Sequence, residues 1–371
     1  MKRWPTLRYK EEGMREGMQI EDANISVEDK VRLIDALSET GLKNIVVGSF
    51  VSPKYTPQMA RIDEVVQKFH PKEGVMYTAL ALNEKGIERA LQYSPPLTIE
   101  SGTPRLFCHM CDVFVRRNTN RSQEQEIERW PQIVAKAQER GIKEAGIAIN
   151  AAWGSNFVGK FSLSQRMEML ERQHNIWDKA GIKVTQVSMG DPMSWCMPHV
   201  VEEQLLAIKE KWPAIKTFNL HLHNGRGMAI ASAYTAIATL DADDVIELDG
   251  SIGGIGGCPY CGNGRATGMM PTEDAIHMFE QMGIDTKINV DKLIECVWML
   301  DDILGRPTMG HVSKAGPFPT TSDKWYDPNA PFVETFEQVK HFKLGPSVYE
   351  GGIYPWKEKI RSSQRPDTLT N

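Results

Sequence analysis

Six cysteines in 371 residues are too sparse for a disulfide scaffold and fit a reducing compartment. No uncharged run is long enough to span a bilayer. The first twenty residues, MKRWPTLRYKEEGMREGMQI, carry charge throughout and contain no apolar core of a secretory signal, so a soluble cytoplasmic protein is expected, with no membrane partner. A basic excess is missing too: 43 Lys and Arg stand against 48 Asp and Glu, for a formal charge of -5. That balance gives no field for nucleic acid, although single arginines can still hold a small anion.

What the chain has is regular alternation. Eight short apolar runs, rich in β-branched residues, are separated by segments of helical period. The runs are LRYKEEG, which is weak, NIVVGSF (44 to 50), GVMYTALAL (74 to 82), RLFCHMC (105 to 111), EAGIAIN (144 to 150), KVTQVSMG (183 to 190), FNLHLHN (218 to 224) and DVIELDG (244 to 250). Between them, SVEDKVRLIDALSETG sets Val27, Val31, Ile34 and Leu37 at helical spacing behind a Ser26 N-cap. The pattern predicts an α/β fold, a (β/α)8 TIM barrel over residues 1–290, in preference to a doubly wound open sheet. Residues 291–371 turn rich in Pro, Gly and aromatics and are expected to form a C-terminal extension, as a lid or a contact in a homo-oligomer.

The stretch HLHNGRG, His221 to Gly227, ends the seventh run. Alternation along a strand turns His221 and His223 the same way, at the strand ends where barrel enzymes carry their sites. Two imidazoles so placed suit a divalent ion; the competing reading is a hydrogen-bonded pair of core histidines. Glu16, Asp191 and Asp249, each at another strand end, are candidate carboxylates. Arg226 could hold a substrate carboxylate or make a structural ion pair.

Two further motifs invite other chemistry. CPYC (258 to 261) and CHMC (108 to 111) resemble redox or zinc pairs, but they lie far apart, and CPYC follows a loop where a redox pair would open a helix. The loop GSIGGIGG (250 to 257) lacks the flanking residues of a phosphate cradle and reads as a mobile lid. Lys54, Arg116, Arg117, Asn118 and Lys160 are candidates for phosphate binding, or simply charges on solvated loops.

The set REGMQ (15 to 19), SFVSPKYTPQMA (49 to 60), CDVFVRRNTNRS (111 to 122), GKFS (159 to 162), GD (190 to 191), HLHN (221 to 224) and GIGGCPY (254 to 260), in that order, resembles the 3-hydroxy-3-methylglutaryl-CoA lyase family, of the DRE-TIM metallolyase superfamily. The resemblance implies a barrel that breaks or forms a carbon–carbon bond beside a carbonyl with a divalent metal (Mg, Mn or Zn). It implies Glu16, His221 and His223 as metal ligands, Arg15 on the enolate oxygen, and His221, Glu16 or Cys258 as acid and base. It also implies Ser49, Lys54, Arg117, Asn118, Lys160, Asp191 and Arg226 around substrate and coenzyme A. Three positions depart from the family: Glu16 stands for its Asp, Val46 or Val47 for a catalytic Glu, and Met269 for an Asn ligand, which Asn263 could replace.

The reading that follows is a lyase cleaving a 3-hydroxyacyl-CoA, either 3-hydroxy-3-methylglutaryl-CoA or a malyl or methylmalyl type, into an acyl-CoA and a keto or aldehyde acid. An enzyme condensing an acyl-CoA with a 2-oxo acid, and a catalytically silent CoA-binding homologue, are the alternatives.

Overall fold

The computed structural model describes residues 3–81, 83–99, 102–263 and 268–369. Eight strands, β1 Thr6–Glu11, β2 Asn44–Ser49, β3 Met76–Leu80, β4 Arg105–His109, β5 Glu144–Asn150, β6 Lys183–Asp191, β7 Thr217–Leu222 and β8 Val245–Gly250, alternate with helices. All eight run parallel in one ladder, ordered β3-β2-β1-β8-β7-β6-β5-β4, the arrangement of a (β/α)8 barrel. Beyond β3, the Thr98 amide donates to the Tyr77 carbonyl at 2.7 Å and extends the ladder towards β4. A small hairpin, Gly154–Ser155 with Gly159–Lys160, decorates the loop after β5.

The outer face of the sheet is apolar. Leu106, Cys108, Ile147, Ile149, Val187, Met189, Phe218, Leu220, Ile246 and Leu248 are all fully buried in one core with the surrounding helices. Alternation leaves the opposite residues on the inner face, and many of these are polar. Arg8 pairs with Glu247 at 2.9 Å, Arg105 donates to Ser188 at 3.2 Å, and Asn219 stands between Glu247 and Ser188 in register.

The helices begin where the sequence offers caps. Ser26 accepts the Asp29 amide at 3.0 Å to start Val27–Ser38, and Ser162 starts Leu163–Lys179 with a reciprocal Gln165 bond. The segment 123–139, which reads as one helix, is two, Gln123–Ile127 and Trp130–Glu139, because Pro131 can enter only the first turn of a helix. Helix Val290–Leu304 buries Leu293, Cys296, Val297 and Leu300 in the barrel's own core and stops at Gly305, whose φ is 64°. After it come short turns with exposed Phe318, Phe332, Phe336 and Tyr354. Among the described residues no helix is long and apolar enough to cross a membrane.

Candidate active site

The chain leaves β1 through a wide turn, Gly13–Gly17, in which the amides of Glu16 and Gly17 return to the Glu12 carbonyl at 2.8 and 3.2 Å. The buried Glu11 carboxylate holds this turn to the loop after β8. It accepts the Gly13 amide at 2.7 Å, the Ile252 amide at 2.9 Å and the Thr272 hydroxyl at 2.5 Å. Burial pushes the Glu11 carboxyl up to about 7.

The turn places Arg15 and Glu16 against the end of β7. Arg15 donates to Glu12 at 2.7 Å and pairs with Glu16 at 2.8 Å. Glu16 then reaches both histidines, with 2.9 Å from Oε1 to Nε2 of His223 and 3.3 Å from Oε2 to Nε2 of His221. The two Nε2 atoms face each other at 3.2 Å. On its other side His221 sets Nδ1 3.0 Å from Asp249, and Lys10 lies 3.7 Å from the second oxygen of that carboxylate. Burial opposes charge on His221, but Glu16 and Asp249 on either side lift it to about 10. Burial also works against the Glu16 charge, and Arg15 with His221 outweighs it, holding that carboxyl well below the usual range.

This donor set fits a divalent cation. Glu16, His221 and His223 offer ligand atoms within 4.8 Å of one another. With Nδ1 facing Asp249, the neutral tautomer that donates from Nδ1 would leave Nε2 of His221 free to ligate beside Nε2 of His223, and a bound cation would take the place of the proton. One carboxylate and two imidazoles suit Mn²⁺, Zn²⁺ or Mg²⁺.

Other residues singled out in the sequence take different places. Ile45 and Val47 belong to the outer core and Val46 does not, so alternation puts Val46, buried, on the inner face, and of the two valines it is the one that faces the barrel interior. Met269 is buried and forms a backbone bridge to His223, with its side chain beside Gly256. The Oδ1 of Asn263 is buried without a hydrogen-bond partner. Cys258 packs with Cys111, Phe114, Ala151, Phe161, Met193 and Cys261 in a separate apolar cluster. Its bond with the Cys261 thiol, and burial after it, push Cys261 upward.

Asp191 accepts the amides of Trp195 and Cys196 at 2.8 and 2.7 Å and is pushed up by burial. Arg226 donates to the Met193 carbonyl and, at 3.1 Å, to Asn156, with its guanidinium over Trp195. Asn224 accepts the Ala229 amide at 3.0 Å, at the start of the next helix. Arg117 donates to the Tyr260 carbonyl at 2.9 Å, tying the helix after β4 to the CPYC loop, and Asn118 beside it is half-buried. Lys54 and Lys160 are exposed, and Ser49 is buried at the end of β2. Sequence reasoning missed Lys10, Glu11 and Glu12; their signal was a KEE run at the end of an otherwise weak strand.

Comparison with known proteins places the chain in a family. The HMGL-like family model matches residues 7–299. The mitochondrial hydroxymethylglutaryl-CoA lyase of Homo sapiens is 31% identical over 305 residues, 82% of this chain and 88% of its own. Hydroxymethylglutaryl-CoA lyase YngG of Bacillus subtilis is 32% identical over 300 residues, 80% and 93% of the two chains. The crystal structure of the Pseudomonas aeruginosa hydroxymethylglutaryl-CoA lyase superposes with a TM-score of 0.66 at 29% identity, covering 85% of this chain and 98% of that one. An HMG-CoA lyase of Acinetobacter baumannii, solved with coenzyme A and 3-methylmalate, gives a TM-score of 0.66 at 26% identity over 86% and 96%. With eight parallel strands, a matching family model and relatives over four-fifths of its length, the chain belongs to the HMGL-like family and is a carbon–carbon lyase on a TIM barrel.

Proposed function

We propose that this lyase cleaves a 3-hydroxyacyl-CoA of the malyl or methylmalyl type into an acyl-CoA and a keto or aldehyde acid, with a divalent metal on Glu16, His221 and His223. The observation that carries the reading is the convergence of those three side chains at the strand ends with Arg15 fixed beside them. A bound cation would act as a Lewis acid, acidifying the substrate hydroxyl and polarising the new carbonyl. Arg15, immobilised by Glu12 and Glu16, presents permanent positive charge to the enolate oxygen that develops on the thioester. His221 or Glu16 takes the hydroxyl proton as the bond between C2 and C3 breaks, its electrons pass into the thioester carbonyl, and Cys258 delivers a proton to the acyl carbon, with Cys261 protonated beside it.

The substrate class rests on the departures from the family pattern. Val46 puts a branched alkyl group where the resemblance places a glutamate, and the thioether of Met269 replaces an amide ligand. The Acinetobacter baumannii relative was solved with coenzyme A and 3-methylmalate, a four-carbon dicarboxylate chain that matches the proposed head group. Lys54 and Lys160, both exposed, are assigned to the CoA moiety together with Asn118, since Arg117, Arg226 and Asp191 are already engaged by protein groups and Ser49 is buried. The test is mass-spectrometric turnover of a panel of 3-hydroxyacyl-CoA thioesters with Mn²⁺ or Mg²⁺, comparing wild type with His221→Ala. Cleavage of a malyl-type member by wild type alone supports the reading. Silence across the panel while CoA still binds, or release of free CoA from an acyl-CoA and a 2-oxo acid, overturns it.

A further inference from the structure

Residues 300–371 lie beyond the family match, and their first stretch runs across the glycine loop that follows β8. The Met309 amide donates to the Gly253 carbonyl at 3.0 Å. Thr308 packs on the same glycine so closely that a Cβ at 253 would stand 2.8 Å from it. Gly310 lies against Glu273, where a Cβ would stand 1.7 Å from Oε1, while Oε2 of Glu273 accepts the Gly253 amide at 2.9 Å. Arg306 bonds Glu21 at 2.6 Å, and Glu21 closes the turns that carry Arg15 and Glu16. Ile20, Glu21, Ile255, Gly256, Arg306 and Met309 line a small cavity where the three segments meet. The crossing segment is itself held at both ends. Asp301 accepts the Thr308 amide at 2.7 Å, and Asp274 accepts the amides of His311 and Val312 at 2.9 and 2.7 Å.

The loop beneath needs such support. Gly253, Gly254, Gly256 and Gly257 have φ of 64°, 67°, 115° and 143°, conformations that side chains disfavour and that glycine leaves readily. We propose that Arg306–Gly310 is a strap that positions the glycine loop, and with it Cys258, relative to the turn bearing Arg15 and Glu16. Arg306, Thr308 and Met309 are positioning residues, acting through Gly253 and Glu21. The catalytic consequence for Cys258 rests on the lyase reading above; the positioning of the loop does not.

The experiment therefore reads the loop directly. The full chain and its Arg306→Ala and Arg306→Lys variants are treated with iodoacetamide, and the alkylation rate of Cys258 is followed by peptide mass spectrometry. Cys196, buried outside the loop, is the internal reference. In Arg306→Ala, Cys258 is expected to react about 5-fold faster with Cys196 unchanged, as a local opening does, and Arg306→Lys to restore the slow rate. With a substrate in hand, kcat should fall in Arg306→Ala while KM stays put. An unchanged Cys258 rate, no rescue by lysine, or a parallel rise at Cys196 that marks general loosening would overturn the strap. None of these readings requires turnover, so a failed substrate panel leaves the result interpretable.

Discussion

Nδ1 of His221 stands 3.0 Å from one oxygen of Asp249, whose other oxygen lies 3.7 Å from Lys10. The three residues share one register across β1, β8 and β7, so the ladder itself sets the contact. A carboxylate in that position orients a ligating imidazole and raises its basicity. Asp249→Asn should weaken Co²⁺ binding to the metal-free protein about 10–100-fold, read by titrating the cobalt absorption, with unchanged circular dichroism. Equal affinity in the variant would mean that Asp249 does not orient the histidine.

Arg15 uses separate nitrogens for Glu12 and Glu16. Lysine keeps the charge but not the fork, so the charge moves off the developing oxyanion. Arg15→Lys is expected to lower kcat about 100–1,000-fold with little change in KM, as loss of an oxyanion donor does. Steady-state kinetics on the substrate identified by the panel decide it; a change confined to KM would place Arg15 in ground-state binding instead.

Glu273 is fully buried, and burial, with Asp274 next, lifts its carboxyl to about 8. The fold favours its neutral form, so the stability it contributes is complete below the ordinary carboxyl range, declines as pH rises towards 8, and is gone above that. Glu273→Gln keeps an acceptor for the Gly253 amide and removes the titration. The difference in Tm between pH 5 and pH 9 should shrink by about 2–4 °C relative to wild type, with Glu11, pushed up to about 7 by burial, accounting for part of what remains. Calorimetry at the two pH values is the check, and parallel pH profiles for both proteins would refute it.

The barrel was legible because its strands are apolar on the outer face, and Ile147, Val187, Phe218 and Leu248 announce themselves in sequence. The His221–Leu222–His223 alternation and Glu16 after β1 were legible for the same reason, since strand period and strand-end position carry the signal, whereas Arg15 entered through the family resemblance alone. The choice between Val46 and Val47 was not, because both are branched and apolar, and only packing shows which one faces inward. Arg226 reads in sequence as the partner of a substrate carboxylate or of a structural ion pair, yet carbonyls more than thirty residues earlier hold it. The strap has no signature at all: its central bond joins two backbone atoms, Met309 N and Gly253 O, and backbone bonds leave no residue code.

The polar inner face has a further consequence. Where most barrels of this kind are plugged by branched side chains, here the side chain of Arg8 is 62% exposed and that of Lys10 36%. The inward side of β1 thus carries charge in contact with water, and Lys10 brings it within 3.7 Å of Asp249, the carboxylate that faces His221, so the ion pair behind the histidine is partly solvated and not sealed in an apolar plug.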